Sequence, residues 1–272
     1  MSDDVFLVLG ATGKTGRRVV ERLRAAGRTV RAASRSSAVH FDWADPATWD
    51  DAVAGASAVY LVAPTEPGPA PKFVQMAVAA GVRRFVALSG RAADQWGDSP
   101  FGVDMLSAEE AVRASGVEWS ILRATNFNQN FDEDLFHAPI MAGELALPAE
   151  GIVEAFVDLE DLADVAVALL TEPGHAGQIY ELSGPRAMTF REATEQIAAA
   201  SGRAVRYTDV TPDEYVAAMV AQGYSEEEAR YVLAMFDLMS RGVFGAPTDD
   251  VRRVLGRAPR TFESYVDRVW RS

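Results

Sequence analysis

The strongest constraint on this chain is a short apolar run that ends in glycine. Val5–Leu9 passes directly into Gly10-Ala11-Thr12-Gly13-Lys14-Thr15-Gly16, and apolar residues then recur at three- and four-residue spacing through Thr15–Ala26, with Gly27 as a stop. Period and punctuation predict a buried strand, a tight turn, and a helix that packs back on the strand. The same unit repeats. Thr29–Ala33, Ala58–Val62, Arg84–Leu88 and Trp119–Leu122 are further apolar runs, and Pro71–Ala80 and Met105–Ser115 are helix-length segments stopped by Gly81 and Gly116. Apolar runs of this kind suit strands covered on both faces, so the pattern predicts an α/β fold, a doubly wound parallel sheet with right-handed crossovers. Ligands are expected at the carboxyl ends of its strands.

After Arg123 the rhythm breaks into a polar and aromatic stretch, Ala124–Phe136, and a Pro/Gly-punctuated segment up to Gly151. Ala155–Val157 and Gln178–Leu182 read as two more strands flanking a helix, Leu159–Leu170, which Glu160 and Asp161 favour at its N-terminus. From Thr189 onward the chain is mostly helical, with Glu226-Glu227-Glu228 opening one helix near Ser225 and Phe262–Trp270 closing the chain. The expected organisation is a nucleotide-binding region over residues 1–125, with strands near 152–158 and 178–183 rejoining its sheet. Residues 126–151 and 184–272 then form a smaller, mostly helical substrate or lid region.

Three glycines at the strand-to-helix turn permit a tight bend, close backbone approach to a pyrophosphate, and close helix packing, while the helix N-terminus offers free N–H groups to an anion. A Rossmann-type dinucleotide site is the natural reading, with Gly10, Thr12, Gly13, Lys14, Thr15 and Gly16 forming the phosphate turn. The spacing is G-x-x-G-x-x-G, and the turn lacks the Gly-Lys-Ser/Thr ending of a nucleoside-triphosphate loop. Dinucleotide sites usually carry an acid at the end of the second strand to hold the ribose hydroxyls. Here Ser34-Arg35-Ser36 stands there instead, so a guanidinium and hydroxyls meet a 2′-phosphate, and NADP(H) is the expected cofactor. The alternative for Arg35 is a solvated strand-end arginine. Asp42-Trp43 is placed to flank the adenine, or else to pack locally.

Composition removes several function classes. A formal charge of −13 opposes a phosphate backbone, so no nucleic acid is expected as a partner. The chain has no cysteine, which excludes disulfides, thiolate metal sites and cysteine nucleophiles. No apolar run reaches the length of a membrane span, and Met1-Ser2-Asp3-Asp4 leads straight into a strand, so a cytoplasmic protein with no membrane association is expected.

With these residues in view, the sequence resembles the NmrA-like group of atypical short-chain dehydrogenase/reductases over nearly its whole length. Besides Gly10–Gly16 and Ser34-Arg35, the resemblance rests on Arg84-Phe85-Val86-Ala87-Leu88-Ser89, the run from Ser115-Gly116 to Leu122-Arg123, Asn126-Phe127 with Asn130-Phe131, Asp158–Ala163 and Tyr180–Pro185. That group includes quinone, azo-dye and triphenylmethane-dye reductases, iminium reductases, and dinucleotide sensors that catalyse nothing. The resemblance implies that Ala63-Pro64 and Ser89 approach the ribose and nicotinamide and that Thr125–Asn130, including Asn126 and Phe127, covers the nicotinamide end. It further implies that Phe127 and Phe131 wall a substrate pocket with Asn130 as a polar contact.

Ordinary members of the superfamily carry Tyr-x-x-x-Lys on the helix after the fifth strand, where the lysine tunes the tyrosine as a proton donor. This chain places Phe101-Gly102-Val103-Asp104-Met105 there, so Phe101 and Met105 occupy the two positions. Hydride transfer needs proximity, orientation and an electrophilic acceptor, and an activated acceptor can do without that dyad. The expected activity is therefore NADPH-dependent reduction of a small-molecule conjugated carbonyl, quinone or imine/iminium. The alternative is a non-catalytic NADP(H) sensor that binds a protein partner. Asp104 is the nearest substitute acid, with a solvated helix carboxylate as the other reading, and His137 is the one histidine near the pocket loop. His40, His137 and His175 show no metal spacing, and no G-x-S-x-G elbow occurs, so neither a metal site nor a hydrolase is expected. Met235, Phe236 and Met239, at helical spacing, line the pocket or the core.

Overall fold

The structure, a computed structural model, describes residues 4–64, 68–242 and 244–271. In chain order its first part runs β1 (Val5–Leu9), α1 (Lys14–Ala25), β2 (Thr29–Ser34), β3 (Val39–His40), α2 (Trp49–Val53), β4 (Ala58–Val62), α3 (Pro69–Ala79), β5 (Arg84–Gly90), α4 (Val103–Arg113) and β6 (Glu118–Ala124). Then follow α5 (His137–Ala142), β7 (Glu144–Leu147), β8 (Val153–Glu154), α6 (Leu159–Thr171), β9 (Gln178–Leu182), β10 (Met188–Thr189) and α7 (Phe190–Ser201). The chain ends with β11 (Arg206–Asp209), α8 (Pro212–Ala221), α9 (Glu226–Ser240), α10 (Asp250–Leu255) and α11 (Phe262–Val269).

Seven strands make one parallel sheet in the order β3-β2-β1-β4-β5-β6-β9. The chain steps outward from β1 to β3, then crosses back to lay β4 on the other side of β1. That reversal leaves a crevice at the carboxyl ends of β1 and β4. Period-two alternation explains why both faces are covered. Leu7 and Leu9 point to the layer of Phe73, Val74 and Val112, while Phe6 and Val8 point to that of Val19, Leu23 and Leu162. The predicted doubly wound α/β fold is the one observed.

The helix α1 is fastened by charge to α6, packed beside it, and to the loop after β6. Its Arg17 and Arg18 meet Glu133 at 2.5 and 2.7 Å, and Arg18 also reaches Glu160 at 2.8 Å. One turn on, Arg22 meets Glu160 and Asp164, each at 2.5 Å. Burial would raise the Glu160 carboxyl, yet the guanidinium groups of Arg22 and Arg18 hold it at about 2. The loop after β6 is thereby tied to the helix that carries the phosphate turn.

Residues 178–182 do join the sheet, as β9 beside β6. Residues 152–158 do not, contrary to expectation, because β9 already occupies the free edge of β6. Val153–Glu154 pairs antiparallel with β10 instead, and Ala155 and Val157 cross the end of β6. There the carbonyl of Ala155 accepts from the Thr125 hydroxyl at 2.7 Å, and Val157 exchanges backbone bonds with Asn126 and Asn128. The C-terminal helices, with β7 pairing β11, enclose a separate aromatic core around Phe131, Phe136, Phe156, Phe190 and Phe262.

Candidate cofactor and active site

The phosphate turn sits where the sheet reversal opens. Gly10 takes a left-handed φ of +64°, the Gly13 N–H donates to the Gly10 carbonyl at 2.8 Å, and the Ala11 N–H donates to Ala33 at the end of β2 at 3.1 Å. The three glycines serve different ends. A Cβ on Gly16 would lie 2.2 Å from the Gly10 oxygen, so that position is closed by backbone. A Cβ on Gly13 would meet that oxygen at 3.2 Å and otherwise point into the open. Helix α1 starts with no side-chain cap, which leaves its first N–H groups facing outward among exposed Thr12 and Gly13. Thr15 is buried under the turn.

At the end of β2, Ser34 is buried and bonds to the hydroxyl of Ser37 at 2.7 Å and the N–H of Ser36 at 3.2 Å. Arg35 beside it is exposed and makes no ion pair among the described residues. Trp43 and Asp42 are more committed than expected. Trp43 packs edge-on against Phe41 and Phe73 at 5.0 and 5.2 Å, and the Asp42 carboxylate accepts from the Ala44 N–H at 3.0 Å. Ala63 and Pro64 follow β4 at the crevice.

Beyond β5 and β6 the site becomes polar. Arg123 is buried and grips Glu109 with two bonds of 2.9 and 2.8 Å, and it also contacts Asp94 and, at 3.3 Å, Glu181. Burial pushes the Glu109 carboxyl up, but Arg123, Ser89 and Arg113 outweigh it and leave the group below its usual range. Ser89 is buried beside Glu109. Thr125 is buried and spends its hydroxyl on Ala155. Lys14 turns away from the phosphate turn toward this region, donating to Asn130 at 2.7 Å, pairing with Asp134 and lying 5.5 Å over the Phe127 ring. Asn130 in turn donates to Asn126 at 3.4 Å.

The indole of Trp96 fills the space between the end of β5 and the start of α4. Its ring lies so close to Gly90 and Gly102 that a Cβ on either would come within 2.5 and 2.1 Å of it. Phe101 stacks between Trp96 at 5.7 Å and Tyr231 of α9 at 5.4 Å, and the Met105 sulfur lies near Gly90. Asp104 faces the Tyr231 hydroxyl, which also accepts from the Gly102 N–H at 3.4 Å. Burial raises the Asp104 carboxyl, with its own N–H, that of Met105 and Tyr231 opposing.

Two expectations fail. Phe131 is not a pocket wall: it is fully buried, with Phe136, Phe156 and Phe262 at 5.2, 5.3 and 5.5 Å. His137 is exposed at the start of α5 and lies against Trp270 at 6.2 Å, which removes it as a proton donor to the site. Phe236 likewise packs into the core, on Tyr215 and Phe190. A residue missed in the sequence is Glu154, wholly buried, with one carboxyl oxygen accepting from Asn126 at 3.1 Å and the other without a partner. Its signal was a lone acid inside the apolar stretch Ile152–Val157. A concavity of about 690 Å³ lined by Arg28, Ser57, Arg84, Glu118 and Gly177 opens at the opposite, amino-terminal end of the strands, away from the glycine turn. The helix N-terminus and sheet reversal mark the carboxyl end as the cofactor side.

Residues 10–173 match the NAD(P)H-binding family. The chain belongs to that family. A relative from Streptomyces griseus, a (4-alkanoyl-5-oxo-2,5-dihydrofuran-3-yl)methyl phosphate reductase, is 34% identical, with 96% of each chain covered. The triphenylmethane reductase of Citrobacter sp., solved with NADP(H), is 24% identical with a TM-score of 0.79 over 97% of this chain and 99% of its own. NmrA, a negative transcriptional regulator, shares the fold at 16% identity, TM-score 0.74, over 98% and 96% of the two chains. The protein is an NAD(P)H-dependent reductase. No helix among the described residues is long and apolar enough to cross a membrane, and none of their acidic or histidine side chains cluster as a metal site.

Proposed function

We propose that the protein reduces a conjugated small molecule, with NADPH as donor and without the Tyr/Lys dyad. The observation that carries this reading is the environment of the dyad positions. Phe101 and Met105 hold no exchangeable proton, and Trp96 closes the space above Gly90. A bound reduced nicotinamide would supply a hydride. The chain's residues fit such a group: the turn leaves an open cradle at Gly13, and both polar atoms of the buried Asn128 carboxamide lack hydrogen bonds. Gly10–Gly16 would hold the pyrophosphate, Arg35 the 2′-phosphate, and Asn126 and Phe127 the far half, with Lys14 fixing that loop rather than touching phosphate.

An acceptor that is already electron-poor needs little help from a titrating side chain. A conjugated carbonyl, a quinone and an iminium share that property, and the named substrate of the Streptomyces griseus relative is a conjugated carbonyl. Where a proton is needed, Asp104 with Tyr231 is the pair that supplies it at the edge of α9. A panel of quinones, cyclic iminium ions and enones, followed by loss of NADPH absorbance, tests the reading. Turnover with at least one class supports it; tight NADPH binding with no oxidation by any acceptor refutes it and assigns the chain to dinucleotide sensing. Asp104→Asn is expected to lower turnover of enones and to flatten the alkaline side of their pH profile, while leaving iminium reduction unchanged. An unaltered enone profile removes Asp104 as the proton source.

A further inference from the structure

Among the described residues four carboxylates are almost or entirely shut from water, and three of them have an arginine. Glu109 is gripped by Arg123, Asp158 by Arg268 at 2.7 Å, and Asp161 by Arg257 at 2.7 Å. Glu154 has no ion pair among the described residues. The cost of an unpaired charge in such a place is several kcal/mol, which selects the uncharged acid. Its surroundings explain why it is there. Met188 stands opposite it in the β8–β10 pair, and Met239 of α9 lies 3.6 Å from the Asn126 amide that Glu154 holds. From Asn126 a chain of side-chain bonds continues through Asn130 to Lys14 at the phosphate turn.

We propose that Glu154 is a positioning residue for the reductase reaction: as an uncharged acid it accepts the Asn126 Nδ2 hydrogen and sets that carboxamide at the carboxyl end of β6, beneath the lid helix α9. This rests on the reductase reading for its kinetic arm only. The orientation matters because an asparagine amide has two chemically different ends. With Nδ2 committed to Glu154, Oδ1 faces Asn130 and the loop keeps one geometry. The free oxygen of Glu154 carries the proton without a partner, so the acid is a stored polar group at the base of the site. Burial lifts its ionisation to about 8, against the Asn126 side-chain and backbone bonds and the positive charge of Arg91. Arg91 is the charged group that acts on it among the described residues, and its own Nε lies 3.0 Å from Glu181. When Glu154 does ionise, the covering residues around Met239 must admit water, and the loop loses its register.

The test compares Glu154→Gln with Glu154→Ala. Glutamine keeps the accepting oxygen and can never ionise. In the protein without cofactor, the infrared carbonyl band of a protonated acid should be present at neutral pH, fade as the pH is raised, and be missing in Glu154→Gln. With an iminium acceptor, whose turnover does not draw on Asp104, Glu154→Gln should keep near wild-type kcat at neutral pH and lack the alkaline fall expected of the wild type. Glu154→Ala should lower kcat about tenfold, the rate equivalent of one lost bond, and weaken NADPH by no more than that factor, since Asn126 itself remains. If no acceptor is ever found, the reductase reading fails while the infrared band still decides the charge state of Glu154. The proposal is overturned by a missing band at neutral pH, by an identical alkaline limb in Glu154→Gln, or by a folded Glu154→Ala with unchanged kcat.

Discussion

Replacing Gly16 and Gly13 by alanine, one at a time, separates two duties that the sequence presents as a single motif. At Gly16 the added methyl carbon would stand 2.2 Å from the Gly10 oxygen, 2.8 Å from its carbon and 3.0 Å from Ala11 Cα. All three are backbone atoms, so nothing rotates out of the way. The first distance is more than an ångström inside ordinary contact, and the oxygen involved is the one that accepts from the Gly13 N–H. Overpacking plus the loss of that bond gives about 3 kcal/mol of lost stability, or about 10 °C in Tm for a chain of this size. At Gly13 the methyl meets the same oxygen at 3.2 Å, a contact relieved by a few tenths of an ångström, and φ is −76°. Gly13→Ala should therefore unfold within about 3 °C of the wild type, yet bind NADPH about tenfold or more weakly, because the methyl stands where the pyrophosphate must approach. Thermal unfolding without cofactor and fluorescence titration with NADPH are the two assays. Equal loss of stability in both variants, or wild-type NADPH affinity in Gly13→Ala, would refute the division of labour.

Other outcomes follow from the same geometry. Arg35→Ala should weaken NADPH by about 2 kcal/mol and leave NADH nearly unchanged, since one charge-assisted bond is removed; equal weakening of both cofactors counts against a 2′-phosphate contact. Arg123→Ala removes two bonds from buried Glu109 and leaves it the half-exposed Arg113 at 3.0 Å, so it should cost about 3 kcal/mol in denaturant unfolding, with recovery in the double variant Arg123→Met/Glu109→Leu. Glu154 makes wild-type stability fall with rising pH: its folded-state ionisation near 8 lies above its ordinary value of 4.5, so the native state holds the extra proton between those values. The Tm difference between Glu154→Gln and the wild type should accordingly grow between pH 5 and pH 8 and level off above it; a constant difference would contradict the burial argument.

The sheet was legible because its buried strands are apolar runs alternating with helices that glycine stops, and a run such as Val5–Leu9 has few other ways to bury itself. The turn was legible for a similar reason: Gly10, with its left-handed φ, and Gly16, closed by backbone, are required by local geometry. What depended on distant parts of the chain was not. Ala155-Phe156-Val157 has the composition of a strand, but β9 had already taken the edge it needed. Phe131 reads as a loop aromatic, and only the convergence of Phe136, Phe156, Phe190 and Phe262 from separate elements makes it core. The basic spacing of Arg18 and Arg22 is visible on α1, whereas the acids that answer it come from residues 133, 160 and 164. Glu154 was hidden in the same way, since its meaning lies in the arginine it lacks.

The most direct measurement is transfer of deuterium from NADPH labelled at the nicotinamide C4 to a conjugated enone or iminium ion, read by mass spectrometry of the product. A reductase of the kind described moves the label to carbon in the product, and Gly13→Ala and Arg35→Ala slow that transfer while Glu154→Gln does not. Product without label, or labelled NADPH left intact beside every acceptor while firmly bound, would contradict it.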